Sequence, residues 1–83
     1  MDSATLIAMT SIITAGLTIA LGSIGPALGE GLAVAKALTA LAQQPDAAST
    51  ITRTLFVGLA MIETMAIYTL VIALLVLFAN PFV

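Results

Sequence analysis

Of 83 residues, 61% are hydrophobic and only six are charged, namely Asp2, Glu30, Lys36, Asp46, Arg53 and Glu63, for a formal net charge of −2. A water-facing domain carries about a quarter charged residues, so this composition excludes most soluble folds and places the chain in lipid. With no cysteine, histidine or tryptophan, disulfide frameworks, thiolate or imidazole metal sites and histidine catalysis are excluded, and two basic residues cannot track the phosphates of a nucleic acid.

Residues 5–29 form a charge-free run of 25 residues, longer than the roughly 20 needed to span a bilayer. Its only charged flank is the acidic Asp2. It therefore lacks the basic leader of a signal peptide and reads as a retained transmembrane helix, about residues 4–42. Pro26 lies inside it, where it removes the backbone bond to Gly22 and bends the helix. A polar loop follows at about residues 43–48, carrying Gln43, Gln44, Pro45 and Asp46. The second helix covers about residues 49–79, and Asn80-Pro81 stops it. Residues 64–83 are the second charge-free run. The expected fold is thus an all-α membrane protein, a single two-helix transmembrane hairpin over residues 1–83. Lys36 and Arg53 flank the loop, so the positive-inside rule puts the loop in the cytoplasm and both termini on the opposite side. Phe56, Phe78 and Phe82 read as interfacial anchors.

The two helices differ in what they can pack against. Between Ala15 and Ala42, 14 of 28 residues are Gly, Ala or Ser, against four of 24 between Leu55 and Phe78, so the first helix packs and the second faces lipid. Small residues recur at Ser23, Gly25, Ala27, Gly29 and Gly31. At about 100° per residue, Gly25 and Gly29 share one face and Ser23, Ala27 and Gly31 lie roughly opposite. One smooth side can dock on the second helix; the other needs an identical neighbour. Such a heterologous contact closes into a homo-oligomeric ring when the rotation permits. The plainer alternative is a generic small-residue dimer face.

Two acids interrupt the spans, and an intramembrane carboxyl costing about 2.5–3.5 kcal/mol is a functional site by default. Glu30 and Glu63 are equidistant from the loop, so the hairpin brings both to one depth inside the membrane. The bland reading makes either one a neutral, hydrogen-bonded carboxyl that holds the hairpin together.

The run Gly25-Pro26-Ala27-Leu28-Gly29-Glu30-Gly31, the loop Gln43-Gln44-Pro45, and Glu63-Thr64 with Tyr68 ahead of Phe78-Ala79-Asn80-Pro81-Phe82 closely resemble the c subunit of rotary F-type ATP synthases. The acid within Gly-Glu-Gly is similar to the N-type branch of these ATPases. The resemblance covers nearly the whole chain. It implies a ring of identical hairpins in a membrane, the bacterial inner membrane, with the first helix inside and the second outside. The ring would turn against an a subunit and dock on the central stalk through the loop. It also implies no catalytic site and no cofactor. Glu63 would carry the ion, neutralised while facing lipid and ionised beside an arginine of the a subunit, because a bare carboxylate in hydrocarbon is prohibitively unfavourable.

Two departures bear on this. The family's loop usually reads Arg-Gln-Pro where Gln43 stands, leaving Arg53 or Asp46 to replace a basic stalk contact, or Gln44 and Pro45 only to shape the turn. In sodium-carrying relatives the ligands correspond to Glu30, Glu63, Thr64 and Tyr68, with the Met61 backbone carbonyl, but the position holding a water is Met65. A thioether is a poor ligand for a hard cation, whereas a proton needs one carboxyl and an acceptor. Proton coupling is therefore expected, with sodium at Glu63, Glu30 and Thr64 as the alternative. A small pore-forming or structural proteolipid is the rival of another class; it gives no reason for two acids at matched depth. Tyr68 has the equally simple reading of an ordinary aromatic in a membrane helix.

Overall fold

The computed structural model describes residues 2–80, so Pro81, expected to help stop the second helix, and Phe82, expected to anchor it at the interface, lie outside the described residues. Its elements are α1 (Ser3–Gly22), α2 (Ile24–Gln43), a 3-10 turn (Pro45–Ala47) and α3 (Ala48–Phe78). α1 and α2 run on end to end and both pack along α3, giving an antiparallel hairpin 64 Å long and only 16 by 9 Å across. Both arms are long and apolar enough to cross a membrane, Ser3–Gln43 taken through its interruption and Pro45–Phe78. The length is about twice the ~30 Å of bilayer hydrocarbon, so the ends of the hairpin extend beyond it.

α1 begins on Asp2, whose carboxylate accepts a hydrogen bond from the Thr5 N–H at 2.8 Å. Hydrogen bonds from the Thr5 side chain and then its backbone hold the Asp2 carboxyl below its usual value. The cap is therefore complete at neutral pH and is lost only as acid protonates Asp2 below that lowered value.

The expected single first helix is interrupted at Ser23, for the reason Pro26 supplies. Pro26 has no N–H for the Gly22 carbonyl, and Ser23 adopts φ −90°, ψ −13°. The flanking bonds persist, from the Ser23 N–H to Ile19 and from the Ala27 N–H to Ser23, both at 3.0 Å, so the chain passes through with its helical phase intact. At the other end, Gln44 leaves the helical region (φ −134°, ψ 69°), as a residue before proline does. Pro45 then opens the 3-10 turn that delivers the chain into α3, and Gln43 to Asp46 are all exposed.

The contact between the arms is a stripe of small side chains. Ser11, Ala15, Thr18, Gly22, Pro26, Gly29, Ala33, Ala37 and Ala40 follow one another in steps of three and four, and all are buried or half-buried. Opposite them on α3 lie Ile51, Leu55, Gly58, Ile62, Ala66, Thr69, Ala73 and Val76. Ala15 and Ala73, 3% and 1% exposed, mark the tightest part of the seam. A Cβ at Gly29 would sit 3.8 Å from Ile62 Cγ2, an ordinary contact. A Cβ at Gly22 would run into the Thr69 methyl and lie 2.9 Å from Thr69 Cβ. Two seam hydroxyls are satisfied by their own helices: Thr18 donates to the Thr14 carbonyl at 2.7 Å and Thr69 to the Ala66 carbonyl at 2.7 Å.

Replacing Gly22 with alanine is expected to destabilise the hairpin by about 1–3 kcal/mol through this clash, measured by denaturation of the protein in micelles. Gly16→Ala, with nothing within 4 Å of the added carbon, is expected to stay within about 0.5 kcal/mol. Adding Thr69→Ala to the Gly22 variant should restore part of the loss.

Candidate functional site

Three contacts between the arms share one register: Ser11 with Asn80, Gly22 with Thr69 and Gly29 with Ile62, each pair of residue numbers totalling 91. The fold axis thus falls one residue earlier than equal spacing of the two acids implies, because residues 44–47, which separate α2 from α3, are centred between Pro45 and Asp46. Glu63 lies two residues, about 3 Å, from the level of Glu30. The offset is small, and the two carboxyls come close enough for one to donate a hydrogen bond to the other once protonated.

Their meeting follows from the seam. Glu30 comes one residue after Gly29 and Glu63 one residue after Ile62, so each is turned about 100° from a seam residue. Antiparallel helices seen end on turn in opposite senses, which carries both acids to the same flank of the hairpin. Glu30 is half-buried and Glu63 is exposed on that flank.

Met61 and Tyr68 each come one residue before a seam residue, Ile62 and Thr69, and so project from the other flank. They are 69% and 61% exposed. Thr64 lies two residues beyond Ile62, on the back of α3, with its hydroxyl donating to the Ala60 carbonyl at 2.9 Å. A single hairpin therefore gathers Glu30 and Glu63 and leaves Thr64, Met61 and Tyr68 facing elsewhere. Among the small residues, Gly29 packs on Ile62, while Gly25 and Gly31 have nothing within 4 Å, Ala27 is exposed and Ser23 is half-buried. Gly25 does not join Gly29 against α3, since Pro26 takes the seam position beside it.

Two features escaped the sequence reading. Gly22 stands out there only as the carbonyl opposite Pro26, yet among the described glycines it is the one where an added Cβ would clash with α3. Asn80, read as part of a stop signal, also donates from Nδ2 to Ser11 Oγ at 2.9 Å and satisfies the buried Ser11 hydroxyl. The signal for this bond was the spacing, since Ser11 and Asn80 are nearly equidistant from the loop. Above it the arms leave a cleft of about 670 Å³ between Thr10, Thr14, Ile72 and Val76.

Comparison with known proteins gives the family. The family profile of the ATP synthase c subunit matches residues 13–76. The ATP synthase c subunit 2 of Cereibacter sphaeroides is 69% identical over 74 residues, covering 89% of each chain. The ATP synthase c subunit 1 of Syntrophotalea carbinolica is 52% identical over 71 residues, 86% of this chain and 81% of that one. The chloroplastic ATP synthase c subunit of Euglena gracilis is 51% identical over 78 residues, 94% and 96% of the two chains. A membrane hairpin with an intramembrane carboxyl pair and this kinship belongs to the ATP synthase c-subunit family, as an ion-carrying member of the rotor ring.

Proposed function

We propose that this member of the rotor ring carries protons, with Glu63 as the carrier and Glu30 as its hydrogen-bond partner. The observation that carries the reading is the meeting of the two carboxyls on one flank. A pair of acids in a low-dielectric setting holds a shared proton far better than it bears two charges. Glu63, the more exposed of the two, is the one able to exchange with an aqueous channel.

The remaining candidate residues take their places between neighbours. A ring brings the acidic flank of one hairpin against the opposite flank of the next, so Met61 and Tyr68 of that neighbour close over Glu63 and Glu30. There Tyr68 shields the neutral carboxyl from lipid. Rotation then presents Glu63 to the a subunit, whose arginine favours the ionised form and releases the proton. The loop Gln43, Gln44, Pro45 and Asp46, fully exposed at one end of the hairpin, docks on the central stalk. Lys36 and Arg53 orient that end to the cytoplasm, with the bacterial inner membrane as the host and the Gly-Glu-Gly run favouring the N-type branch.

Sodium is the second reading, favoured by the number of oxygens the neighbouring flanks bring together, Glu63, Glu30, Tyr68 and the Met61 carbonyl, with Thr64 as the further ligand this reading requires. Two observations weigh against it. Thr64 projects from the back of α3, away from both flanks, and Met65 supplies sulfur where a hard cation needs oxygen.

In assembled enzyme, Glu63→Gln is expected to leave the ring intact and abolish ion transport and ion-coupled ATP synthesis; a ring that leaks ions with glutamine in place would point to a simple pore. Carbodiimide labelling of Glu63 in the ring separates the ions. Proton coupling predicts a labelling rate that falls with rising pH and is indifferent to millimolar sodium, and protection by sodium at constant pH would make sodium the carried ion. Cysteines at positions 63 and 68 are expected to crosslink between hairpins of the ring and not within a dissociated one, since about 140° of helix separates them.

A further inference from the structure

We propose that the back of α3 at its loop end, with Arg53 at its centre, binds the phosphate of an anionic phospholipid that lacks a cationic amine. Arg53 lies nine residues from Ile62, about 180° around the helix from the seam. Ser49 one turn toward the loop, and Phe56 and Val57 one turn into the bilayer, fall within about 60° of it. All four are exposed, Phe56 by 66% and Val57 by 58%. Ring neighbours meet through the two flanks beside the seam, so this surface stays open to lipid in the assembly.

The depth suits a headgroup. Arg53 sits two residues before Leu55, where the apolar stretch running to Phe78 begins. The strip therefore changes from Ser49 and Arg53 to Phe56, Val57 and Ala60 at the level where phosphates give way to acyl chains.

The chemistry selects the lipid. Among the described residues Arg53 has no ion pair and no hydrogen bond, so its guanidinium fork is free to take two phosphate oxygens. The Ser49 hydroxyl can donate to a third oxygen, and Phe56 packs against the start of the acyl chains. The nearest acid in sequence, Asp46, is in the turn, and Lys36 precedes Ala37 on the flank that carries Tyr68. The Asp46 carboxylate is seven residues, about 10 Å, beyond Arg53, farther than the few ångströms between phosphate and ammonium in a choline or ethanolamine headgroup, so an anionic headgroup is preferred to a zwitterionic one.

The test uses the assembled ring, delipidated in detergent and offered phosphatidylglycerol or phosphatidylcholine with the same acyl chains, with bound lipid counted by native mass spectrometry. Wild-type ring is expected to retain phosphatidylglycerol about fivefold better. R53Q should erase that preference, R53K should keep part of it and K36Q should leave it unchanged. Equal retention of the two lipids by wild type, or an undiminished preference in R53Q, overturns the proposal. Displacement of the lipid by inorganic phosphate overturns it in favour of a free-anion site. If R53Q rings do not assemble, the wild-type preference and its reduction in R53K decide. The isolated ring moves no ions, so the outcome is independent of which ion Glu63 carries.

Discussion

The close approach of α1 and α2 to α3 along a stripe of small residues is the constraint on which the rest of the hairpin depends. In lipid there is no hydrophobic gain from bringing two apolar helices together, so association relies on dispersion contacts and the few polar bonds available. Nine successive seam positions on the first arm are no larger than threonine or proline, and this lets Thr69 press on Gly22 and Ile62 on Gly29. Any bulky residue in that stripe would hold the arms apart. The register would then be unspecified, and with it the meeting of Glu30 and Glu63.

Pro26 fits the same logic. Within an α-helix it removes a bond and crowds the carbonyl four residues back, a penalty of about 3 kcal/mol in an ordinary helix interior. Here it occupies a seam position between Gly22 and Gly29, where a side chain must be compact and where α3 covers the disturbed turn. The interruption at Ser23 leaves the phase of the stripe unchanged, since Ala15 and Thr18 before it and Ala33 and Ala37 after it remain on the same face. A local break is thereby accommodated without loss of the packing surface.

Much of this was legible in the residues. The absence of charge from residues 5–29 and 64–83 marks the two spans, and Pro45 marks the reversal. The pairing of Glu30 with Glu63 follows from their positions about the loop, because a hairpin turns sequence distance into depth. What spacing could not supply was rotation. Choosing the seam required knowing which of several small-residue stripes meets α3, and Gly25 and Gly29 are equally small. Only the side chains opposite, Ile62 and Thr69, distinguish the stripe through Gly22 and Gly29 from its neighbours. For the same reason Met61, Thr64 and Tyr68 looked like companions of Glu63 in the chain, although one residue before or after the seam is the difference between opposite flanks, and two residues beyond it is the back of α3.

That difference also bears on assembly. A hairpin with two like flanks could pair with itself about a two-fold axis and stop at a dimer. The flanks here are unlike: Glu30 and Glu63 project from one, Met61 and Tyr68 from the other. Contact between unlike flanks is heterologous and leaves a free copy of each flank at the ends of any open array, so it continues until the rotation between neighbours closes it. Closure into the ring of the c-subunit family is thus consistent with the same one-residue steps that separate the acids from the tyrosine. On the proposed reading those steps do a second thing. They make each carboxyl pair incomplete in its own hairpin, so that a neutral, lipid-shielded carrier exists only where two hairpins meet, and every interface around the ring becomes an equivalent station for one ion.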